Sequence, residues 1–248
     1  MSLPGTTHST YKALEQLHRC VNPAELAALT GQLVRDLGAT SFVYSIHVTD
    51  EDSSDQLIQR HSISSSAEWS NIYDAKKWFM NDVFVEYAKR NCSPAYGSQI
   101  APQTQGQRDM LDMAGRFGFI SGMLVPTHSS NNAEERIGML YIGSDQPPAT
   151  GEALMRTNRI VYRALAMELL DWWTEYLRRK AADKYKLNGD EIRLLQLSKN
   201  GCVVSDISAR LSIKQSNLYR QFDVIKDKLN VHKIGEAVRK ADLSGLLG

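Results

Sequence analysis

Leu187 to Leu243 reads LNGDEIRLLQLSKNGCVVSDISARLSIKQSNLYRQFDVIKDKLNVHKIGEAVRKADL. Its apolar spacing sets out four helices. Ile192, Leu194, Leu195 and Leu197 give one apolar face to a short helix from Asp190 to Lys199. Gly201 follows where a helix end needs a residue tolerant of positive φ. A second short helix fits Val203 to Leu211, and Ser212 interrupts the pattern. In the third, Leu218, Phe222, Ile225 and Leu229 fall on one stripe, while Ser216, Tyr219, Arg220, Asp223 and Lys226 face outward. A fourth helix fits Lys233 to Leu243.

Two short helices, a tight turn and a helix with a polar, basic free face form the helix-turn-helix pattern. Charge agrees. From Arg210 to Lys240 there are eight basic residues against three acidic ones. Phosphates along a duplex reward that imbalance through counterion release. A small helical bundle with an ordinary solvated basic face would carry similar charge, so the helix lengths and the turn decide for DNA. The third helix offers Lys214, Gln215, Asn217, Arg220 and Lys226 to DNA, with Arg220 best placed to read a guanine edge.

The rest of the chain differs in character. Residues 187–248 hold ten Lys and Arg against seven Asp and Glu, hence +3. Of the chain's 29 and 28, that leaves 19 against 21, hence −2, and a net +1 overall. A hydrophobic content of 42% over 248 residues supports a sizeable core. Three scattered cysteines, Cys20, Cys92 and Cys202, argue against a disulfide framework or a zinc site. Neither an N-terminal signal nor a bilayer-length apolar run is visible, so a cytoplasmic location is expected.

In the first 177 residues, Asn22-Pro23 opens a helix closed by Gly38. Phe42, Tyr44, Ile46 and Val48 alternate as a strand with one buried face. A polar turn over residues 50–55 leads to a returning strand, Gln56 to Ile63. Trp69, Tyr73, Trp78 and Phe79 form an aromatic cluster, and Asp82 caps a short helix through Arg90. Gln107 to Phe117 reads as helix. Phe119–Thr127 and Ile137–Gly143 read as strands, with a turn over residues 129–132. One long helix is predicted from about Thr150 past Trp173 to Lys180. The class is therefore α+β: an N-terminal α/β/α sandwich with an antiparallel sheet over 1–177, a charged linker over 178–186, and an all-α helix-turn-helix domain over 187–248.

Leu187-Asn188-Gly189-Asp190-Glu191, Leu195, Gly201, Asp206 to Leu211 and Lys228 to Val231 resemble the DNA-binding domain of LuxR-type transcription regulators. The resemblance extends upstream. Trp69, Tyr73 and Asp82 stand at the Trp-x3-Tyr and nine-residue spacing of that family's acyl-homoserine-lactone domain, and Gly118 to Pro126 is similar to its Gly-x-x-Ser-Gly-x-x-x-Pro strand. The resemblance implies that Trp69 donates its indole N–H to a lactone carbonyl, Asp82 accepts the amide N–H and Tyr73 serves the acyl carbonyl. On the residues alone, two core aromatics and a helix cap would also explain these three.

Departures from the family fall at both ends. Lys214, Asn217 and Gln221 stand where Ser, Thr and His are usual. In the pocket, Ser65 replaces a Tyr, Val83 a Pro, Tyr96 or Gly97 a Trp, and Tyr141 a Ser or Thr. Ser65, Tyr96 and Tyr141 thus join Trp69, Tyr73 and Asp82 as candidate ligand contacts.

The expected function is a ligand-responsive, DNA-binding regulator of quorum sensing, with an N-acyl homoserine lactone as autoinducer and no cofactor. A regulator of the same shape that senses another small molecule, or none, is the alternative. No enzyme is expected: Ser121 sits one residue late for a nucleophile elbow, and no metalloprotease, phosphate-loop or Cys-x-x-Cys pattern occurs. A homodimer on a double-stranded operator follows from two half-sites per site. The long helix around Leu165, Leu169, Trp172 and Trp173 is the expected contact surface in the first 177 residues.

Overall fold

The structure, a computed structural model, describes residues 8–50, 57–131 and 134–247. The turn expected over 50–55 therefore lies largely outside the described residues, whereas residues 129–131 of the turn expected over 129–132 are the end of a strand. Helix α1 (His8–Gln16) precedes α2 (Pro23–Asp36). Asn22 caps α2 by accepting the Glu25 N–H, with Pro23 at the first helical position, as its sequence requires. Strands β1 (Ser41–Asp50) and β2 (Leu57–Ser64) follow, then α3 (Ala67–Ala75), α4 (Val83–Arg90), β3 (Ala95–Tyr96) and α5 (Gln105–Gly115). The long strands β4 (Ser121–Asn131) and β5 (Glu134–Ser144) lead to α6 (Pro148–Thr157) and α7 (Arg159–Tyr185). The sheet order is β2-β1-β5-β4-β3, with β1–β2 and β3–β4 antiparallel.

Three expectations are corrected. First, β1 is buried on both faces, not one. Phe42, Tyr44 and Ile46 lie on one side, with Phe42 close to Gly31 of α2. Ser45 and His47, on the other side, are 3% and 5% exposed. Helices cover both faces of the sheet, so the polar alternation marks a lined interior rather than solvent. Second, the single helix from Thr150 is two. Asn158 breaks it, donating its side-chain amide to the Leu37 carbonyl at 2.9 Å, a tertiary bond that wins over helical continuity. Third, α5 starts and ends two residues early, because Thr104 and Gln107 form a capping box ahead of the apolar run.

The chain divides into two units within α7, after Trp172. In the first, α3, α4 and α5 pack on one sheet face through Trp69, Tyr73, Phe84, Met110, Leu124 and Met139. Leu165, Leu169, Trp172 and Trp173 are at most 3% exposed within a single chain, and the Trp172 indole donates to the Cys20 carbonyl at 2.8 Å. They are core residues, so these four side chains do not form a contact surface. Residues 178–185, read as linker, are helical.

The second unit holds α8 (Gly189–Lys199), α9 (Val204–Leu211), α10 (Gln215–Leu229) and α11 (Ile234–Leu243), close to the expected spans. Gly201 has φ +75°, and Leu218, Phe222, Ile225 and Leu229 form the buried stripe. Asn188 and Glu191 make a capping box at α8. Glu191 also receives the Lys228 ammonium at 2.6 Å, and Lys199 pairs with buried Asp242 at 2.7 Å. Among the described residues no helix is long and apolar enough to cross a membrane.

Candidate functional site

Helix α3 sets two aromatic side chains one turn apart, because residues four apart share a helix face. Ser66 opens that helix by accepting the Trp69 N–H. Trp69 and Tyr73 are both buried, with ring centroids 5.6 Å apart, and Trp69 also meets Trp78, Phe117 and Phe119. Asp82 arrives from the start of α4. One of its carboxylate oxygens accepts the Phe84 N–H at 2.7 Å, and the other accepts the Tyr73 hydroxyl at 2.6 Å. It is therefore a helix cap and a cavity wall at once.

The three residues line one cavity of about 60 Å³, together with Val43, Ser45, Arg60, Met110, Leu124 and Tyr141. Burial pushes the Asp82 carboxyl up, opposed by the Tyr73 and backbone hydrogen bonds and by the charge of Arg60. Burial, then the neighbouring Asp82 carboxylate, raises the Tyr73 hydroxyl well above the usual phenol range. Tyr73 therefore stays a protonated donor. Small-molecule sites run to about 300–1,000 Å³, so this cavity holds a few waters as its side chains stand.

Tyr141 explains the small volume. Its ring lies 4.6 Å from that of Phe84. A Cβ on Gly97 would stand 2.7 Å from the Tyr141 hydroxyl, and one on Gly122 would stand 2.4 Å from its ring. Tyr141 thus fills the room that two bare backbones leave. Ser98, beside Gly97, is held to α6 by its N–H and hydroxyl on the Glu152 carboxylate, at 2.9 and 2.6 Å.

Two predicted contacts lie away from the cavity. Ser65 is exposed, and its hydroxyl exchanges hydrogen bonds with the Phe42 backbone. Tyr96 lies under the Arg156 guanidinium, 5.1 Å from its ring centroid. Missing from the expectation were Val43 and Ser45, on the face of β1 assigned to solvent, and Arg60 on β2.

In the second unit Lys214, Gln215, Asn217 and Arg220 are exposed around the start of α10. Lys226 is half-buried and pairs with Asp223 at 2.8 Å. Lys228 and Lys240 serve the fold, on Glu191 and on the Leu229 carbonyl. The count of basic residues therefore overstates the charge free to meet an anion.

An aromatic-walled cavity between helices and an antiparallel sheet, with a few fixed polar groups, defines a small-molecule receptor domain. The autoinducer-binding-domain profile matches residues 22–169, and the chain belongs to that family of LuxR-type receptors. Solved structures share the fold. Escherichia coli SdiA superposes with a TM-score of 0.60 at 13% identity, over 97% of this chain and 98% of that one. SdiA in complex with octanoyl-rac-glycerol gives 0.58 at 14%, over 98% of each. The N-acylhomoserine lactone dependent LuxR family factor CepR2 of Burkholderia cenocepacia gives 0.53 at 13%, over 66% of this chain and 92% of that one. No curated protein sequence matches the chain.

Proposed function

We propose that this receptor is a cytoplasmic, ligand-responsive transcription regulator that senses an N-acyl homoserine lactone and binds operator DNA as a homodimer. The observation that carries the reading is the Tyr73–Asp82 hydrogen bond inside the cavity that Trp69 walls. An ionised carboxylate accepts an amide N–H strongly in a dry site. The Trp69 indole N–H would serve the lactone carbonyl. Tyr73 has one hydroxyl proton and gives it to Asp82, so serving an acyl carbonyl requires it to turn away. The acyl chain requires Phe84 and Tyr141 to part.

On the DNA side, α9 and α10 are the helix-turn-helix pair over 187–248. Lys214 lies where a phosphate meets the turn, and Gln215, Asn217 and Arg220 lie toward base edges. Lys226 reaches a phosphate only by leaving Asp223.

The test is a titration of the full chain with a panel of lactones, read as melting temperature and as operator binding. Ligand should raise both. Asp82→Asn keeps the cap, because Asn caps about as well as Asp. It should still lose ligand affinity roughly ten- to hundredfold, the worth of a charge-assisted hydrogen bond of about 1.5–3 kcal/mol. Trp69→Phe should act alike. Unchanged half-points for both variants would return these residues to the core. A second reading, a regulator of the same shape for another small molecule, draws on the 60 Å³ cavity and on Tyr141. SdiA, bound to a glycerol ester, makes a monoacylglycerol the natural second arm of the panel.

A further inference from the structure

From Gln215 to Gln221, along the first half of α10, Leu218 alone is buried. The exposed side chains there are polar or charged, with one exception: the Tyr219 ring, in a residue 55% exposed. Its side chain takes part in no hydrogen bond, ion pair or ring contact among the described residues. A ring so placed keeps apolar surface in water, which costs free energy until something covers it.

The surroundings say what covers it. Lys214 and Arg220, both exposed, flank Tyr219 along the chain. Gln215 and Asp223, four residues before and after, share its helix face, and Asp223 is taken by Lys226 at 2.8 Å. An apolar partner surface would have to bury two cations together with the ring, at a cost. A duplex instead offers phosphates to the cations. Val224, also exposed on α10, lies elsewhere: it shares a shallow surface with Asp190 and Glu191 at the acidic start of α8. Arg220 borders that surface too, and Tyr219 lies about 100° round the helix from Arg220, on its other flank. The base edges in the major groove differ in hydrogen-bonding atoms, and thymine alone adds an apolar group there, its C5-methyl.

We infer that Tyr219 is a specificity-determining residue whose ring covers a thymine C5-methyl group, beside the base pair that Arg220 reads. The inference rests on reading α10 as the helix that enters the major groove. A ring exposed without a role in recognition would leave base preference unchanged on removal.

The experiment uses the full-length chain, with and without octanoyl homoserine lactone. Binding sites are first selected from random duplexes. Each enriched thymine is then replaced in turn by uracil, which pairs with adenine in the same way and lacks only the methyl group. At one position uracil should weaken binding about fourfold, the worth of one buried methyl group. Tyr219→Ala should erase that difference and relax the preference for thymine there, with a melting temperature close to wild type because the side chain is exposed. Tyr219→Phe keeps the ring and should keep the difference. Arg220→Ala should weaken binding and keep the difference too. Uracil tolerated at every position, a difference that survives in Tyr219→Ala, or one lost in Tyr219→Phe would overturn the inference and leave DNA binding by α10 standing. If no sequence is enriched, the DNA reading itself fails, and the inference with it.

Discussion

At Asp82 one buried carboxylate both caps α4 and holds the Tyr73 hydroxyl, and that double duty has a pH signature. Burial raises its pKa in the folded chain above the unfolded value of about 3.9. The folded state then binds the proton more tightly, so ionisation weakens folding as pH climbs through that region, and the loss persists at neutral pH. Asp82→Asn has no ionisation to suffer. Denaturant midpoints of the two proteins should therefore diverge in favour of Asn from about pH 4 upward. A gap that stays constant with pH would mean that hydrogen bonds just offset burial, and one that moves in favour of Asp that they outweigh it. Trp69, Tyr73 and Asp82 were legible because a helical turn and a capping position are local. Ser65 and Tyr96 were not, since which way a strand-end side chain points depends on sheet pairing. Arg60 was hidden for a related reason: its partner Asp74 comes from another element.

Elements carry their own tests. A Cβ on Gly138 in β5 would stand 2.3 Å from the Thr127 hydroxyl oxygen and 2.6 Å from that of Tyr44. Gly138→Ala should cost about 1–3 kcal/mol by overpacking, read from chemical denaturation. Gly189→Ala, with open space around it, is the matched control and should cost little. On α10, Arg220→Ala should cost roughly 1–3 kcal/mol of operator affinity and relax preference at one base pair. Lys226→Ala should weaken all sequences alike, and less, because Asp223 already holds that ammonium. If Arg220→Ala changes neither affinity nor base preference in a binding-site selection, α10 presents another face to the groove. The helices over 187–248 were legible almost to the residue because their apolar stripes and turn residues are local signals. The break at Asn158 and the doubly buried β1 were not. One comes from a hydrogen bond to Leu37, and the other from helices that close over a face whose pattern reads as solvent.

For the molecule as a whole, the proposed homodimer needs a surface, and the core positions of Leu165, Leu169, Trp172 and Trp173 leave only the other face of the expected helix. Ile160 and Met167, seven apart on α7, are 74% and 47% exposed and share a helix face. In sedimentation equilibrium with ligand and operator, the wild type should run as a dimer, and Ile160→Glu with Met167→Glu should run as a monomer with weaker operator binding. A dimeric double variant would place the interface elsewhere, and a monomeric wild type would end the dimer reading. Membership of a family whose solved folds share only 13–14% identity with this chain raises the question of how such sequences drift. Gly97 and Tyr141 suggest an order of events. Any side chain at position 97 collides with the Tyr141 hydroxyl, whereas a smaller residue at 141 leaves only empty room. Change between these two positions is thus epistatic and directional. A lineage can shrink residue 141 first and fill position 97 later, but the reverse path passes through a clash.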